Sequence, residues 1–407
     1  TLTEKLLLYG GAIQTAGSVK GKQSAKHAVS DWMDIEKQRG ISVTSSVLQF
    51  NYQGKCINIL DTPGHQDFSE DTYRTLMAAD CAVMVIDAAK GVEAQTIKLF
   101  KVCTLRHIPI FTFVNKMDRE ARDPFELMEN IEEILGIKTY PMNWPISCGK
   151  DFKGVYDRSA KRVLAFSSDG RANGVKMVDE VEAELGDARL DELIGTANHE
   201  KLAEDIELLD GAAEEFDLEA VQHGELSPVF FGSALTNFGV EPFLKEFLRL
   251  TPAPLPRKDA AGGELVDPCS EQFSGFVFKI QANMNKNHRD RIAFLRICSG
   301  KFERGMEAFH VQEGKNIKLA TGTSLMADDR AIVSEAYAGD IIGLFDPGIF
   351  SIGDTLCTGK KHVQFAGIPT FAPEHFARVT QVDTMKRKQF VKGMEQIAQE
   401  GAIQIFR

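Results

Sequence analysis

The spacing of apolar positions in the first half of the chain alternates between the period of strands and that of helices. Two short strands are predicted at residues 47–52 and 55–60, joined by the turn signal Gln53-Gly54. Unbroken apolar runs at residues 81–87 and 108–114 are typical of strands that a parallel sheet buries on both faces. Helical spacing is found at residues 1–8, 70–79, 93–106 and 240–250. This alternation predicts an α/β domain over residues 1–252.

An insertion of about residues 150–225 interrupts the α/β pattern. It opens with a hairpin-like alternation at residues 154–166. Acidic segments that we interpret as helices follow at residues 178–185 and 190–210.

A Pro-rich stretch at residues 251–256 is the best linker in the chain, and the pattern changes after it. Short alternating strands with Gly turns follow at residues 276–280, 291–299, 317–320, 331–336 and 341–345. They predict a small β-barrel over residues 270–365. A second Pro-bearing stretch, at residues 367–373, leads to a strand at 376–381 and a basic helix at 386–399.

The two ends of the sequence both lie inside predicted elements. Residues 1–8 are typical of a helix already under way, and residues 401–407 of a strand that has just begun. We therefore expect flanking sequence on both sides, and interpret residues 371–407 as the start of an α+β, ferredoxin-like domain. The predicted protein is multidomain: an α/β GTPase-type domain of the P-loop class, a β-barrel, and this third domain.

Composition narrows the possible partners. The 407 residues are 43% hydrophobic and 26% charged, with a net charge of −11, which argues against binding nucleic acid through charge alone. The seven cysteines show no metal-ligand or disulfide spacing. No apolar run reaches the ~18 residues of a membrane helix. We expect a cytoplasmic protein that binds neither membrane nor DNA.

The most informative stretch follows the strand at 55–60 and reads Asp61, Thr62, Pro63, Gly64, His65, Gln66, Asp67 and Phe68. An acid at the end of a buried strand can hold Mg²⁺ through water, and a glycine amide can approach a terminal phosphate closely. His65 would then point to the space beyond that phosphate, where an attacking water lies.

Hydroxyl groups upstream offer a second metal ligand. Gly40 ends a charged helical segment, and Ser42 and Thr44 fall on one side of the extended run that follows. Either hydroxyl could ligate Mg²⁺.

The strand at 108–114 ends in Asn115, Lys116, Met117 and Asp118. At the carboxyl end of such a strand, side chains face the ligand crevice of an open α/β sheet. A carboxylate at position 118 can accept from both a ring N–H and an exocyclic amine, a donor pair that guanine offers and adenine lacks. Asn115 would brace the loop, and Lys116 would lie along the base.

A third strand ends in small residues, Gly232, Ser233, Ala234 and Leu235. Their backbone N–H groups could meet the carbonyl of the base. The short string has meaning only because it follows the next strand of the same predicted sheet.

These motifs resemble the signatures of translational GTPases. Arg39, Gly40, Ile41 and Ser42 are similar to the first switch of that superfamily, and the order of domains matches its elongation factor G branch. Longer runs resemble the bacterial class II release factors of the release factor three family. They are residues 30–42, 148–156, 275–284, 336–340 and 371–374.

Two positions depart from the superfamily pattern. Serine stands at Ser42 where most of these GTPases have threonine, which keeps the hydroxyl but makes Thr44 a rival ligand. The glycine-rich phosphate loop with its lysine is absent, and the resemblance places it immediately before Thr1.

The resemblance implies a ribosome-dependent GTPase of translation termination that binds GTP or GDP with Mg²⁺. In its GTP state it would drive class I release factors from the ribosome. Water would attack the γ-phosphate, with Ser42 and Asp61 near the metal, Gly64 sensing the phosphate, His65 positioning the water and Ile41 gating His65. Two alternatives stay open: a related ribosomal GTPase of the translocase or tetracycline-protection type, and a ribosome-binding fragment without hydrolysis.

Overall fold

The computed structural model describes residues 1–13, 36, 42, 44–64, 69–166, 180–212, 215–282, 291–319, 322–326, 329–368, 376–401 and 403–406. The helices of this part of the chain are α1 (Leu2–Tyr9), α2 (Ser69–Ala78), α3 (Ala94–Leu105), α4 (Pro124–Leu135), α5 (Leu190–Leu193), α6 (Thr196–Ala212), α7 (Leu218–Gln222), α8 (Val240–Leu250) and α9 (Arg387–Gln399). Single turns of 3₁₀ helix lie at Gly149–Asp151 and Thr384–Lys386.

The strands of the first half are β1 (Ser46–Tyr52), β2 (Lys55–Asp61), β3 (Ala82–Asp87), β4 (Ile110–Asn115), β5 (Lys138–Pro141), β6 (Asn143–Ile146), β7 (Gly154–Asp157), β8 (Arg162–Phe166), β9 (Glu180–Glu184) and β10 (Leu226–Phe231). Those of the second half are β11 (Arg257–Lys258), β12 (Leu265–Val266), β13 (Ser274–Ala282), β14 (Arg291–Ser299), β15 (Lys301–Glu303), β16 (Glu307–His310), β17 (Lys315–Lys318), β18 (Gly322–Met326), β19 (Asp329–Val333), β20 (Glu335–Tyr337), β21 (Ile341–Phe345) and β22 (Thr355–Cys357).

A parallel sheet in the order β3-β4-β10-β5 forms the centre of the first domain. Residues of β4 alternate between its faces: Ile110 and Val114 pack in one apolar cluster, and Phe111 and Phe113 in another. Layers of side chains therefore cover both faces, as parallel sheets require. The predicted α/β domain with a parallel sheet is confirmed.

Strand β3 is less buried than predicted. It pairs with β4 alone among the described residues, and Val85 is 48% exposed. Strand β2, which carries Asp61, is half-buried along most of its length and pairs with β1. Both strands are edges of their sheets in the described chain, so each has one side with fewer neighbours.

The insertion corrects one predicted helix. Residues 180–184 form strand β9, which pairs antiparallel with β8 and extends the sheet β6-β7-β8-β9. Glutamates at 180, 182 and 184 alternate with Val181 and Ala183, which is the period of a strand, and the free edge of β8 supplies the partner. Residues 178 and 179 lie outside the described part.

The helix predicted over residues 190–210 is interrupted. It is divided into α5 and α6 by Gly195, whose φ of +90° lies outside the helical region. Helix α4 was not predicted, although its signals are ordinary: Asp123 accepts from the Phe125 N–H, Pro124 occupies the first turn, and Gly136 ends it in the left-handed conformation.

Antiparallel strands build the second domain around their own core, which includes Val277, Leu295, Phe302, Ile342 and Leu356. The predicted strands at 276–280, 291–299 and 341–345 are present, and the segment at 331–336 is divided by Ser334 between β19 and β20. The strand predicted at 317–320 begins earlier, as β17, and ends at Lys318; residue 320 lies outside the described residues. Strand β1 pairs with β18 of this sheet, with Leu48 opposite Met326, so the β1–β2 hairpin extends the barrel sheet. Unpaired edge strands readily accept such a partner.

The third segment contains helix α9, as predicted, but the predicted flanking strands are wrong. Residues 376–381 and 403–406 are irregular. A strand forms only by pairing, and neither segment pairs with a described strand. The rings of Phe376 and Phe406 instead contact each other, with centroids 5.8 Å apart. No helix of the described chain is long and apolar enough to cross a membrane.

Candidate functional site

The carboxyl ends of three strands meet at one edge of the parallel sheet. Asp87 of β3 lies opposite Asn115 of β4 in the register, and Val114 lies opposite Phe231 of β10. The segments after β4 and β10, which carry residues 115–118 and 232–235, therefore leave the sheet side by side. The structure brings the two predicted guanine motifs together, at the edge where open α/β sheets bind ligands.

Asn115 joins these two segments. Its Oδ1 accepts the N–H of Lys116 at 2.8 Å and the N–H of Ala234 at 2.9 Å. One side-chain oxygen thus fixes the turn after β4 and the turn after β10 at once. The bracing role predicted for Asn115 extends to both loops.

Asp118 and Ser233 form the polar centre of this edge. The Ser233 hydroxyl donates to Asp118 Oδ1 at 2.5 Å, and Ser233 is fully buried. The bond holds the carboxylate in one orientation, as a group that reads a planar base by two parallel hydrogen bonds requires. Arg119 Nε lies 3.9 Å from the other oxygen, Oδ2.

Asp87 is a site residue that sequence reasoning missed. Lys116 donates from Nζ to Asp87 Oδ2 at 2.5 Å, and its backbone φ of +73° is left-handed, a strained conformation for lysine. Burial alone would raise the pKa of Asp87, but the Lys116 ammonium outweighs it and holds the pKa below its usual value. The available signal was an acid at the end of a buried strand.

Close packing fixes the rest of this edge. Met117 is buried, and its N–H donates to the Gly232 carbonyl at 3.2 Å. A Cβ at Gly232 would lie 2.7 Å from the Phe238 carbonyl and 2.9 Å from the Phe113 ring. Only glycine fits there without a shift of the backbone.

The amides predicted to meet the base carbonyl already have partners. Ser233 N–H donates to the Phe238 carbonyl at 2.9 Å, and Ala234 N–H donates to Asn115. Leu235 follows them and is 52% exposed. A base carbonyl that bound here would have to share these donors or use the backbone beyond Ala234.

The metal-side residues lie at one end of the β1–β2 hairpin. Ser46 is paired with Asp61 in its register, so Thr44 and Ser45, which precede Ser46, lie at the end of the hairpin that carries Asp61. The Thr44 N–H donates to the buried carboxylate of Glu36 at 3.3 Å. Oxygen donors of a carboxylate and a hydroxyl are the kind that Mg²⁺ prefers.

Gly64 lies at the exposed end of the turn after β2. Among the residues that the structure describes, no atom lies within 4 Å of the position a Cβ would take there, so a phosphate could approach its backbone. The turn is anchored behind Gly64, where the Thr72 hydroxyl donates to the Pro63 carbonyl at 3.3 Å. His65 and Ile41 lie outside the described residues, and Thr62 is half-buried beside Asp61.

No cluster of three or more His, Cys, Asp or Glu side chains in the described ranges converges to hold a metal ion. A site built from Asp61 and one hydroxyl needs ligands from phosphate as well. That is the usual mode for Mg²⁺ at nucleotide sites, where one or two protein ligands and water complete the shell.

Helix α2 joins the site to the barrel. Lys279 of β13 donates to Asp71 Oδ2 at 3.2 Å near the start of α2. At its end, the Ala78 carbonyl accepts from Arg296 Nε at 2.9 Å, and the Met77 carbonyl accepts from Arg257 at 2.6 Å. Both ends of the helix that follows Gly64 are therefore held by residues outside the first domain.

Models of protein families match three successive parts of the chain. Residues 1–253 match the elongation factor Tu GTP binding domain, residues 272–359 match elongation factor G domain 2, and residues 365–407 match the class II release factor RF3 C-terminal domain. The fold and the site thus define a guanine-nucleotide-binding GTPase of the translation-factor class. The predicted order of GTPase domain, barrel and C-terminal domain is confirmed.

Curated relatives specify the family further. Peptide chain release factor 3 of Symbiobacterium thermophilum is 63% identical over 406 residues, covering 100% of this chain and 76% of the relative. The proteins of that name from Ligilactobacillus salivarius and Listeria monocytogenes are each 56% identical, again covering 100% of this chain and 77% of the relative. The chain belongs to the peptide chain release factor 3 family, and it is a GTPase of translation termination.

A solved structure agrees in fold. A crystal structure of a protein from Thermus thermophilus superposes with a TM-score of 0.75 at 24% identity and covers 98% of this chain. This chain spans 58% of that longer one. At this identity the likeness establishes the fold alone.

Proposed function

We propose that the protein hydrolyses GTP to drive class I release factors from the ribosome after the peptide has been freed, and that it acts in the cytoplasm. The observation that carries the proposal is the match of residues 365–407 to the class II release factor C-terminal domain, behind a GTPase domain and a barrel. A C-terminal domain specific to release factors favours this outcome over a translocase or a tetracycline-protection factor.

Asp118 selects guanine in this proposal. Its carboxylate accepts from the N1–H and the exocyclic amine of the base. The bond from Ser233 leaves Asp118 Oδ2 and part of Oδ1 for that purpose, since each carboxylate oxygen accepts more than one bond. Lys116, held by Asp87, lies along the base.

Asp61 and one hydroxyl, Ser42 or Thr44, would hold Mg²⁺ together with phosphate oxygens of the nucleotide. The pairing of Ser46 with Asp61 supports this donor set, because both hydroxyl residues precede Ser46 by only a few positions in the chain. When bound, the ion would neutralise charge on the phosphate oxygens.

Hydrolysis uses the turn at Gly64. Water attacks the γ-phosphorus, a new P–O bond forms, and the bond to the bridging oxygen breaks to leave GDP and phosphate. Gly64 N–H contacts the γ-phosphate, and His65 positions the water when the ribosome has docked, with Ile41 keeping His65 out before then. Phosphoryl transfer depends mainly on such positioning and on charge stabilisation.

The experiment follows a fluorescent class I release factor bound to ribosomes at a stop codon. The full-length protein with GTP should displace it and recycle through many rounds, and GDP should support no displacement. The His65→Ala variant should displace one equivalent and then stay bound, because GTP binding drives the structural switch. Full multiple turnover by this variant would refute the role of His65. Failure in the first round would show that displacement requires hydrolysis or His65 itself.

A further inference from the structure

Three groups of one residue, Ser45, are held at the boundary between the first domain and the barrel. Its N–H donates to Asp71 Oδ2 at 2.5 Å, its hydroxyl accepts from Thr75 Oγ1 at 2.9 Å, and its carbonyl accepts from Lys279 Nζ at 2.7 Å. Asp71 and Thr75 lie one turn apart on the same face of α2. The residue next to Thr44 is thereby fixed to the helix that follows Gly64.

Lys279 completes this arrangement from the barrel. Its ammonium also contacts Asp71 Oδ2 at 3.2 Å, and the side chains of Lys279 and Asp71 are 7% and 21% exposed. One ammonium thus contacts both the segment before β1 and the helix after β2. We define Lys279, Asp71, Ser45 and Thr75 as the latch.

A buried lysine is a poor way to stabilise a domain interface. Desolvation of the two charges offsets much of their attraction, and an apolar pair of similar size often stabilises as well. The ion pair instead fixes the relative positions of the groups that it joins, because the buried ammonium has its hydrogen-bond partners only when Ser45 and Asp71 are both in place. The latch therefore sets the position of the segment before β1 relative to helix α2 and the barrel.

The remainder of the interface fixes the far end of α2. Arg296, 2% exposed, donates to the Ala78 carbonyl and pairs with Asp80, while Arg257 donates to the Met77 carbonyl. A helix held by the barrel at both ends moves with the barrel. Displacement of the barrel would therefore move the turn at Gly64 and, through Ser45, the hydroxyl segment as well.

We propose that Lys279 is a positioning residue for GTP hydrolysis: from the barrel, it holds Ser45, the neighbour of Thr44, against the helix that follows Gly64, so that docking of the barrel on the ribosome changes the geometry around the phosphate. The inference rests on the proposed roles of Ser42 or Thr44 and of His65 in hydrolysis.

The test uses Lys279→Met combined with Asp71→Asn in the full-length protein. The double variant leaves no buried charge unpaired, so we expect it to fold, with a melting temperature close to that of the parent. GDP affinity should stay within about threefold, because the guanine edge is untouched. The ribosome-stimulated kcat should fall on the order of 10- to 100-fold, the loss typical of small misplacements of reacting groups. The Mg²⁺ concentration for half-maximal rate should rise.

Lys301→Met is the matched control. Lys301 lies on β15 of the same barrel and pairs with Glu335 at 2.6 Å and Glu303 at 3.0 Å, but its side chain is 38% exposed and makes no described contact with α2. It should leave kcat unchanged. Lys279→Arg keeps a charge in reach of both acceptors and should retain part of the rate that the double variant loses.

Three results would overturn the inference. The first is a folded double variant with a kcat within twofold of the parent. The second is a raised KM for ribosomes at unchanged kcat, which would reduce Lys279 to a docking residue. The third is an equal loss in Lys301→Met. His65→Ala assayed in parallel separates the two proposals: if it retains hydrolysis, the proposed catalytic turn fails, whereas loss in His65→Ala alone refutes only the latch.

Discussion

The two ends of the proposed nucleotide site are built in different ways. At the guanine end, hydrogen bonds join the segment of residues 115–118 to that of residues 232–235 at the edge of a parallel sheet. Asn115 accepts from Ala234, Asp118 accepts from Ser233, and all of these residues belong to the first domain. At the phosphate end, Asp61 and Gly64 lie where strand β2 ends, and the adjoining helix α2 is held by Lys279 and Arg296 of the barrel.

In the proposed function, this difference separates recognition of the base from switching at the phosphate. A binding edge whose polar atoms satisfy one another is preorganised, so it can hold the base in every state of the protein. A phosphate end whose supports come from another domain can change when the domains move, which is how GTPase switches respond to their nucleotide and partner. Variants at the two ends should therefore fail in different assays.

The largest effect should come from the phosphate end. We expect His65→Ala to lower ribosome-stimulated hydrolysis on the order of 10²- to 10⁴-fold, the range for loss of a positioned catalytic group. GTP affinity should stay within a few-fold, because His65 contacts neither base nor β-phosphate in the ground state. Single-turnover hydrolysis and nucleotide titration on the full-length protein measure the two quantities. A parallel loss in affinity would mean that His65 serves binding, and the contrast between the ends would disappear.

The guanine end should show the reverse. Asp118→Asn removes a charge-assisted pair with the base, which should weaken GTP by about 1.5–3 kcal/mol, or roughly 10- to 150-fold. Xanthosine triphosphate should bind better than GTP, because it carries a carbonyl where guanine has the amine. With that nucleotide saturating, ribosome-stimulated kcat should recover.

Competition titrations with both nucleotides provide the measurement, with the parent protein as reference. Unchanged GTP affinity in Asp118→Asn would remove the assignment of the base to this edge.

Much of the guanine end could be predicted from sequence because its residues follow directly after buried strands. The ends of β4 and β10 are fixed by the apolar runs that precede Asn115 and Gly232, and neighbouring parallel strands must end at one edge. Short-range pattern and sheet topology are enough to bring the two motifs together.

The supports of the phosphate end could not be predicted. The latch joins Ser45, Asp71 and Lys279, which are far apart in sequence and belong to two domains, so no local pattern contains it.

Two other features also escape prediction from the sequence. The sequence does not point to Asp87, because the motif after β4 predicts that its partner, Lys116, lies along the base. Strand β9 was missed because its glutamates suit a solvated helix, and only the free edge of β8 decides in favour of pairing.

A smaller effect should come from the hydroxyl that orients Asp118. It can be distinguished from a general loss of stability in and after β10. Ser233→Ala removes the hydroxyl that donates to Asp118, and GTP and GDP should both weaken by about 0.5–1.5 kcal/mol, roughly 2- to 13-fold. Ser227→Ala is the control, because Ser227 is equally buried on β10 but bonds to Thr112 at 2.8 Å within the sheet. It should lower the melting temperature and leave nucleotide affinity unchanged. Equal affinities in the two variants would deny Ser233 an orienting role.

The smallest effect should be in the acid stability of the protein. We compare the parent with variants in which a carboxylate at either end of the site is replaced by the neutral amide. Burial would raise the pKa of Asp71, but the charge of Lys279 and the bonds from Ser45 outweigh it and hold the pKa below its usual value. A lowered folded-state pKa contributes stability that is present above the unfolded value and is lost as the pH falls through the folded one. The melting temperature of the parent should thus drop more steeply between about pH 4.5 and pH 3 than that of Asp71→Asn, by on the order of 1–2 °C. Asp87→Asn should flatten the same window, since its pKa is also lowered. Parallel melting curves for the parent and Asp71→Asn would show that the Asp71 carboxylate is no better stabilised in the folded protein than in the unfolded chain.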